Sequence, residues 1–417
     1  MKILVKSAKV IDNESPFNNK VVDILIEDGV IKEIASPVKA KKVDREISFE
    51  NLHVSQGWFD SSVSFGEPGY EERETLENGL LTAARSGFTS IALNPANDPV
   101  TDNKGSVNFL ISKVRSSPVD LHPIGALTKN SEGIDLAELF DMQQAGAVAF
   151  GDYKSAISNP NLLKLALQYA QNFDGLIQSF PQDNKIAGNG QVNENETSTQ
   201  LGLKGIPALA EELQIARDLY ILEYTGGKLH IPTISTARSV ELIRQAKENG
   251  LDVSCSVTVH HLILTDELLL DFDTNAKILP PLRTKADVKA LLSGVKDGTI
   301  DMVTTDHSPM DVEHKKMEFD HAYFGSIGLE SALGALLKVL PLKTAIKMLT
   351  AGKARFNISE DIIEVGSKAN FTFFDPDPEY VFDLSRVYSS SRNSVFYGQE
   401  LKGKVLGVLS KDIYLPS

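Results

Sequence analysis

Eight short apolar runs, each followed by a helix-like segment, alternate along the middle of the chain. The runs fall at 54–63, 89–95, 121–127, 147–152, 175–180, 228–235, 253–260 and 301–307, and amphipathic stretches such as 75–86, 208–224, 237–249 and 285–295 lie between them. Alternation of this kind predicts an α/β chain folded as a (β/α)8 TIM barrel, with its active site where the strands end. The two ends have another rhythm. ILVKSAKVI and VVDILIEDGVIKEIA, with Asp28-Gly29 as a turn signal, alternate in the manner of strands, and NFTFF and KVLGVL repeat the style near the C-terminus. Residues 1–52 and 360–417 are therefore expected to form one composite β-sandwich, and 53–359 the barrel. The polar, Asn/Gly-rich stretch 184–204 follows the fifth strand and reads as a mobile loop on the active-site face.

Charge and composition exclude several function classes. With 42 basic and 56 acidic residues the net charge is −14, the wrong sign for gripping phosphate backbones. A single cysteine, Cys255, excludes a disulfide framework and a thiolate zinc site, and suits a reducing cytoplasm. The N-terminal MKILVKSAKVIDNES lacks the apolar core of a signal peptide, and no run is long enough for a membrane span. A soluble, cytoplasmic protein is expected.

The first barrel run reads GWFDSSVSFGEPG, residues 57–69. It closely resembles the opening of dihydroorotases and related cyclic amidases of the amidohydrolase superfamily, where a glycine and an Asp precede His-x-His, Phe, Arg, Glu, Pro and Gly. Further matching segments are GLLTAARSGFTSIALNPANDP, LGLKGIPALAEELQIARDL, LHIPTISTARSVELIRQAKENG, VTVHHLILTDE, PPLR, DGTIDMVTTDHSP and FGSIGLE. The resemblance implies pyrimidine biosynthesis and a zinc centre that opens or closes the dihydroorotate ring.

The residues that such a centre needs are largely replaced. Alternate residues of a strand point to one side, which suits His-x-His to a single ion; here those positions are Ser62 and Ser64. The family's fifth-strand His corresponds to Phe180, and the second His of its sixth-strand pair to Thr233. Its fourth-strand bridging acid falls within FGDY, so Asp152 is a candidate, in a register open by one residue. Asp306 remains, at the position that the family uses as metal ligand and general base. The positions implied to hold substrate are Gly66 for an Arg, Ala96 and Leu279 for Asn, and Met310 for a closing His. Zinc lowers the pKa of bound water from about 15.7 to about 7. Losing that shift forfeits on the order of 11 kcal/mol of nucleophile activation. No zinc cofactor is therefore expected, Asp306 reads as a vestigial base, and the chain reads as a non-catalytic homologue.

Plainer readings stand beside these. Asp306–His307 suits a structural hydrogen-bonding pair. His260–His261, facing opposite ways on a strand, suits core packing. Asp152, Asp183 and Asp306 offer oxygens to a hard cation without supporting spacing. Glu67-Pro-Gly69 with Glu71, Glu72 and Glu74 suits a turn and helix start, and Lys353 and Arg355 suit the surface. The resemblance further suggests homo-oligomers and a scaffolding role beside aspartate carbamoyltransferase. The alternatives are an active cyclic-amide hydrolase with a remodelled site around Asp306, supported by Asp152, and a sensor with a ligand near Phe180, Leu279 and Met310.

Overall fold

The computed structural model describes residues 1–40, 42–114 and 116–417. The expected architecture is present: a parallel eight-stranded barrel, and a sheet built from both chain ends. The terminal sheet comprises β1 (Lys2–Val10), β2 (Val21–Glu27), β3 (Val30–Ala35), β4 (Arg45–Ile47) and β5 (His53–Gln56) from the N-terminal end. The C-terminal end adds three more, named below. Gly57 separates β5 from the first barrel strand, β6 (Trp58–Val63). A Cβ at Gly57 would lie 2.0 Å from Thr89 Oγ1, so only glycine lets the chain pass from one sheet to the other there.

The barrel continues through β7 (Phe88–Leu93), β8 (Asp120–Gly125), β9 (Ala149–Phe150) and β10 (Leu176–Gln178). The short strands β11 (Val192–Asn193) and β12 (Gly205–Ile206) then pair with each other outside it. Barrel strands β13 (Lys228–Ile231), β14 (Val253–Thr258) and β15 (Met302–Thr304) follow, and β16 (Phe371–Val381), β17 (Glu400–Ser410) and β18 (Ile413–Pro416) complete the terminal sheet. Neighbouring barrel strands are hydrogen-bonded in chain order. The seam between β15 and β6 is closed just beyond the strands, where Ser64 N donates to His307 O at 2.8 Å.

Local signals explain the helices. Thr75 caps Leu76–Arg85 by accepting from Asn78 N, and a Thr284–Asp287 capping box opens Lys285–Asp297 before Gly298 ends it at φ +82°. Among the described residues no helix is long and apolar enough to cross a membrane.

Two expectations are corrected. The 184–204 segment is organised, with helices Asn184–Ala187 and Glu196–Leu201 and the β11–β12 pair. Asparagine content suggested freedom, yet these asparagines act as bonds: Asn193 and Asn195 amides donate to Asp266 at 2.7 and 2.5 Å. Lys353 and Arg355 are not surface charges. Lys353 is 1% exposed, and Arg355 donates to Leu229 O and pairs with Asp252 beside the starts of β13 and β14. The chain after the last helix returns beneath the barrel, where Phe356 packs on Phe59 and His230 at 5.4 and 5.6 Å.

Candidate active site

The ends of β6, β7, β9 and β15 bring a set of polar side chains together. Asp306, two residues past β15, is buried and takes φ +47°, which turns its carboxylate to the group. Ser62 Oγ donates to Asp306 Oδ1 at 3.1 Å, and Tyr153 OH donates to the same oxygen at 3.2 Å. Lys154 Nζ lies 2.9 Å from Oδ2. The Asn94 amide donates to Ser62 Oγ at 3.0 Å and to Ser64 Oγ at 3.3 Å. Burial opposes the charge on Lys154, but the Asp306 carboxylate and Tyr153 outweigh it and hold the ammonium above the usual lysine range. Burial and the same carboxylate push the Tyr153 phenol upward.

Beneath the cluster lies Asp60, fully buried at the seam. Its Oδ1 accepts from Ser62 N and Thr304 Oγ1, and its Oδ2 from Thr305 N and Thr305 Oγ1. One carboxylate thus ties the strand carrying Ser62 to the strand carrying Asp306. Burial pushes its pKa up to about 6, against the pull of those hydrogen bonds.

Non-glycine residues with left-handed backbone mark this end of the barrel. Tyr153, Thr233 and Asp306 take φ +52°, +52° and +47°. Such a conformation is costly for a β-branched or bulky residue and is maintained only by surrounding packing.

The other residues singled out in the sequence lie elsewhere or do other work. Asp152 turns from Asp306: its carboxylate accepts from Thr128 N at 2.9 Å and Thr128 Oγ1 at 2.5 Å. Asp183 caps Asn184–Ala187. Phe180 is buried, and Leu279 packs with Ile186, Ala187, Ile206 and Ala210. Thr233 Oγ1 is buried without a hydrogen-bond partner among the described residues. Ala96 is half-buried, two residues past Asn94, whose amide enters the cluster instead. Gly66 has no room for a side chain, since a Cβ there would lie 1.8 Å from Tyr70 O. Met310 lines a cavity of about 920 Å3 with Lys315, Arg392 and Phe382, and that cavity is not lined by Ser62, Lys154 or Asp306.

The histidines do not converge on a metal. His307 does not pair with Asp306: its Nδ1 accepts from Gly328 N at 3.2 Å and its ring meets Phe65 edge-on. His260 and His261 sit on a 3-10 turn, not a strand, so their rings lie side by side 4.8 Å apart. His261 is held by Thr258 Oγ1 and Pro281 O, and His230 by Ser254 Oγ. Burial pushes His307 and His230 down to about 3 and His261 to about 4, so all three are neutral near pH 7. Among the described residues no three His, Cys, Asp or Glu side chains come close enough to hold an ion. The donor set does not fit a zinc centre.

Lys154 and Asn94 were missed in the sequence. Lys154 follows the FGDY segment directly, and its signal was a lysine at the end of a barrel strand; Asn94 stands in the LNPAND loop.

Fold and site together define a (β/α)8 barrel with a sheet built from both chain ends, and with an acid in a polar cluster at the strand ends. Among solved structures, L-hydantoinase (dihydropyrimidinase) from Arthrobacter aurescens shares the fold with a TM-score of 0.87 at 22% identity, over 100% of this chain and 96% of that one. Dihydropyrimidinase from Brevibacillus agri does so with 0.83 at 19%, over 100% and 95%. In sequence, residues 53–239 match the Dihydro-orotase-like family. The dihydroorotase of Acetivibrio thermocellus is 40% identical over 411 residues, 97% of this chain and 96% of that relative. That of Pelotomaculum thermopropionicum is 40% identical over 412 residues, with the same coverages. The chain belongs to the dihydroorotase family.

These relatives correct the expectation of a non-catalytic partner. Proteins bearing an enzyme's name match along both the barrel and the terminal sheet, which favours the other reading, a hydrolase with a remodelled site around Asp306.

Proposed function

We propose that this chain is a cyclic-amide hydrolase of the dihydroorotase type, acting on the dihydroorotate ring with Asp306 as its general base. The observation that carries the reading is the 40% identity to dihydroorotases over 97% of the chain, together with a retained, buried Asp306 that accepts from the Ser62 and Tyr153 hydroxyls. Ser62 and Tyr153 donate to one carboxylate oxygen and fix its orientation. Asp306 takes a proton from water as that water's oxygen bonds to the ring amide carbon. The carbon–nitrogen bond then breaks, and the proton passes from Asp306 to the leaving nitrogen. Ring closure is the same sequence reversed.

A positioned acid–base group contributes about 10²–10⁴-fold. Turnover should accordingly be slower than with a metal-activated hydroxide. The test is ring opening of dihydroorotate, and closure of its open N-carbamoyl amino acid, by wild type and by Asp306→Asn. A fall of about 10²–10⁴-fold in kcat/KM for the variant is expected. Absence of turnover in the wild type, or equal rates for the two proteins, would overturn the reading.

A further inference from the structure

We propose that the Lys154 ammonium is the fixed positive charge of this site, standing in for a metal ion against Asp306 and excluding one from it. The proposal deepens the reading of an Asp306-centred hydrolase and rests on it where activity is concerned.

The argument begins with what the Asp306 carboxylate would otherwise lack. A buried carboxylate needs a cation or several donors. With no imidazoles to bring an ion, the neighbouring groups are the hydroxyls of Ser62 and Tyr153, both on Oδ1. Among the described residues Oδ2 is served by Lys154 alone, at 2.9 Å, and the lysine side chain is only 15% exposed. The amine is also held by the Tyr153 ring, whose centroid lies 5.0 Å away. Tyr153 has a left-handed backbone, so the turn that carries Tyr153 and Lys154 toward Asp306 is an unusual conformation, not a default one.

An ion bonded to Asp306 would need a carboxylate oxygen at about 2.0–2.2 Å. It would then stand within a few ångströms of the ammonium, and two cations repel strongly at that range in a site shielded from water. Lysine and a divalent metal are alternatives here. As a donor of three hydrogens, the ammonium can also face the oxyanion that forms when water adds to an amide carbon, a role that fixed charges fill in hydrolytic sites.

The experiment restores the first-strand pair of imidazoles beside Asp306, with and without the lysine, in the full chain. Ser62→His/Ser64→His and Ser62→His/Ser64→His/Lys154→Ala are titrated with zinc sulfate, reading bound metal per chain after gel filtration. The expected result is no stoichiometric zinc while Lys154 is present, and one ion per chain once it is removed. Binding to both variants, or to neither, overturns the proposal.

Should those variants fail to fold, a thermal-melting cycle over Lys154→Met, Asp306→Asn and the double variant decides. The two losses must be strongly non-additive, and additivity overturns the proposal. Activity is read separately. Wild-type ring opening should survive chelator treatment, fall at least 100-fold in Lys154→Met and recover in part in Lys154→Arg. A wild type without activity sinks the hydrolase reading and leaves the zinc and melting results to judge Lys154. A wild type that chelator inactivates and zinc restores overturns the lysine proposal.

Discussion

Asp60 and Thr305 are joined twice across the barrel seam, the Asp60 Oδ2 atom accepting both the backbone N–H, at 3.0 Å, and the hydroxyl of Thr305. Because Thr305 precedes Asp306 and Asp60 also accepts from Ser62 N, this carboxylate sets the distance between Ser62 and Asp306. Asp60→Asn turns an acceptor into an NH2 that must face donors. Leaving buried donors unmatched costs about 1–3 kcal/mol each. The substitution should lower stability in denaturant melts by a few kcal/mol and reduce kcat more than it raises KM. Unchanged melting would show that the seam does not depend on Asp60.

Gly66 is the position that the resemblance assigns to a substrate-binding arginine, and here the loop packs tightly around it. Gly66 N donates to Glu74 O, Tyr70 N donates to Gly66 O, and a Cβ would lie 1.8 Å from Tyr70 O. Gly66→Arg is therefore not a repair. It should destabilise the chain by more than about 4 kcal/mol through steric displacement of backbone, and Gly66→Ala should show much of the same loss. A soluble, normally melting Gly66→Arg protein would show that the loop can open.

The barrel was legible because its signal is repetitive: eight apolar runs and eight following segments register a strand–helix rhythm that no single substitution disturbs. The site was legible only by position. Ser62, Ser64, Phe180, Thr233 and Met310 were singled out by noting which family residues were gone, and of these the structure brings Ser62 and Ser64 to the Asp306 cluster. Lys154 was not found, because its meaning lies in the 2.9 Å to Asp306 across 152 positions of chain, and a strained backbone at Tyr153 delivers it. Asp152 misled for the converse reason. An acid beside the right strand was visible, but its engagement with Thr128 depends on which way the strand end turns. The 184–204 segment misled through composition, since asparagines that cap and cross-link look the same as asparagines that are solvated.

Glu330 is a buried carboxyl held by Tyr388 N and Ser389 N on Oε1, with Oε2 unpartnered among the described residues and Glu74 nearby. Burial, with the Glu74 charge adding to it, pushes its pKa up to about 7 from 4.5. Between those values the folded chain binds the proton that the unfolded chain has released, so stability falls as pH rises from about 4.5 through about 7. The full loss is on the order of 3 kcal/mol. Glu330→Gln keeps the Oε1 acceptor and removes the ionisation. Its melting temperature should exceed that of the wild type at pH 8 and converge with it at pH 5. Parallel pH curves for the two proteins would contradict this assignment.

Arg283 is 2% exposed and fixes the 184–206 region to the barrel. Its Nη1 donates to Asn193 Oδ1 at 2.7 Å and to Ile206 O at 2.9 Å, while Nε donates to Ser235 Oγ at 3.1 Å. Asp266 holds the same segment from the other side through Asn193 and Asn195. Arg283→Met retains the length of the stem and removes every one of those bonds, together with the charge facing Glu211 at 3.9 Å. Breaking a buried pair from one side costs about 3–5 kcal/mol. That cost should appear first as local opening, because β11 and β12 are joined to the barrel chiefly through side chains. Limited proteolysis should therefore cut within 188–204 at least tenfold faster in the variant, before any loss of the barrel's circular-dichroism signal. Cleavage at the wild-type rate would mean that the Asp266 and Lys277 contacts anchor the segment without Arg283, and Asp266→Asn should then expose it.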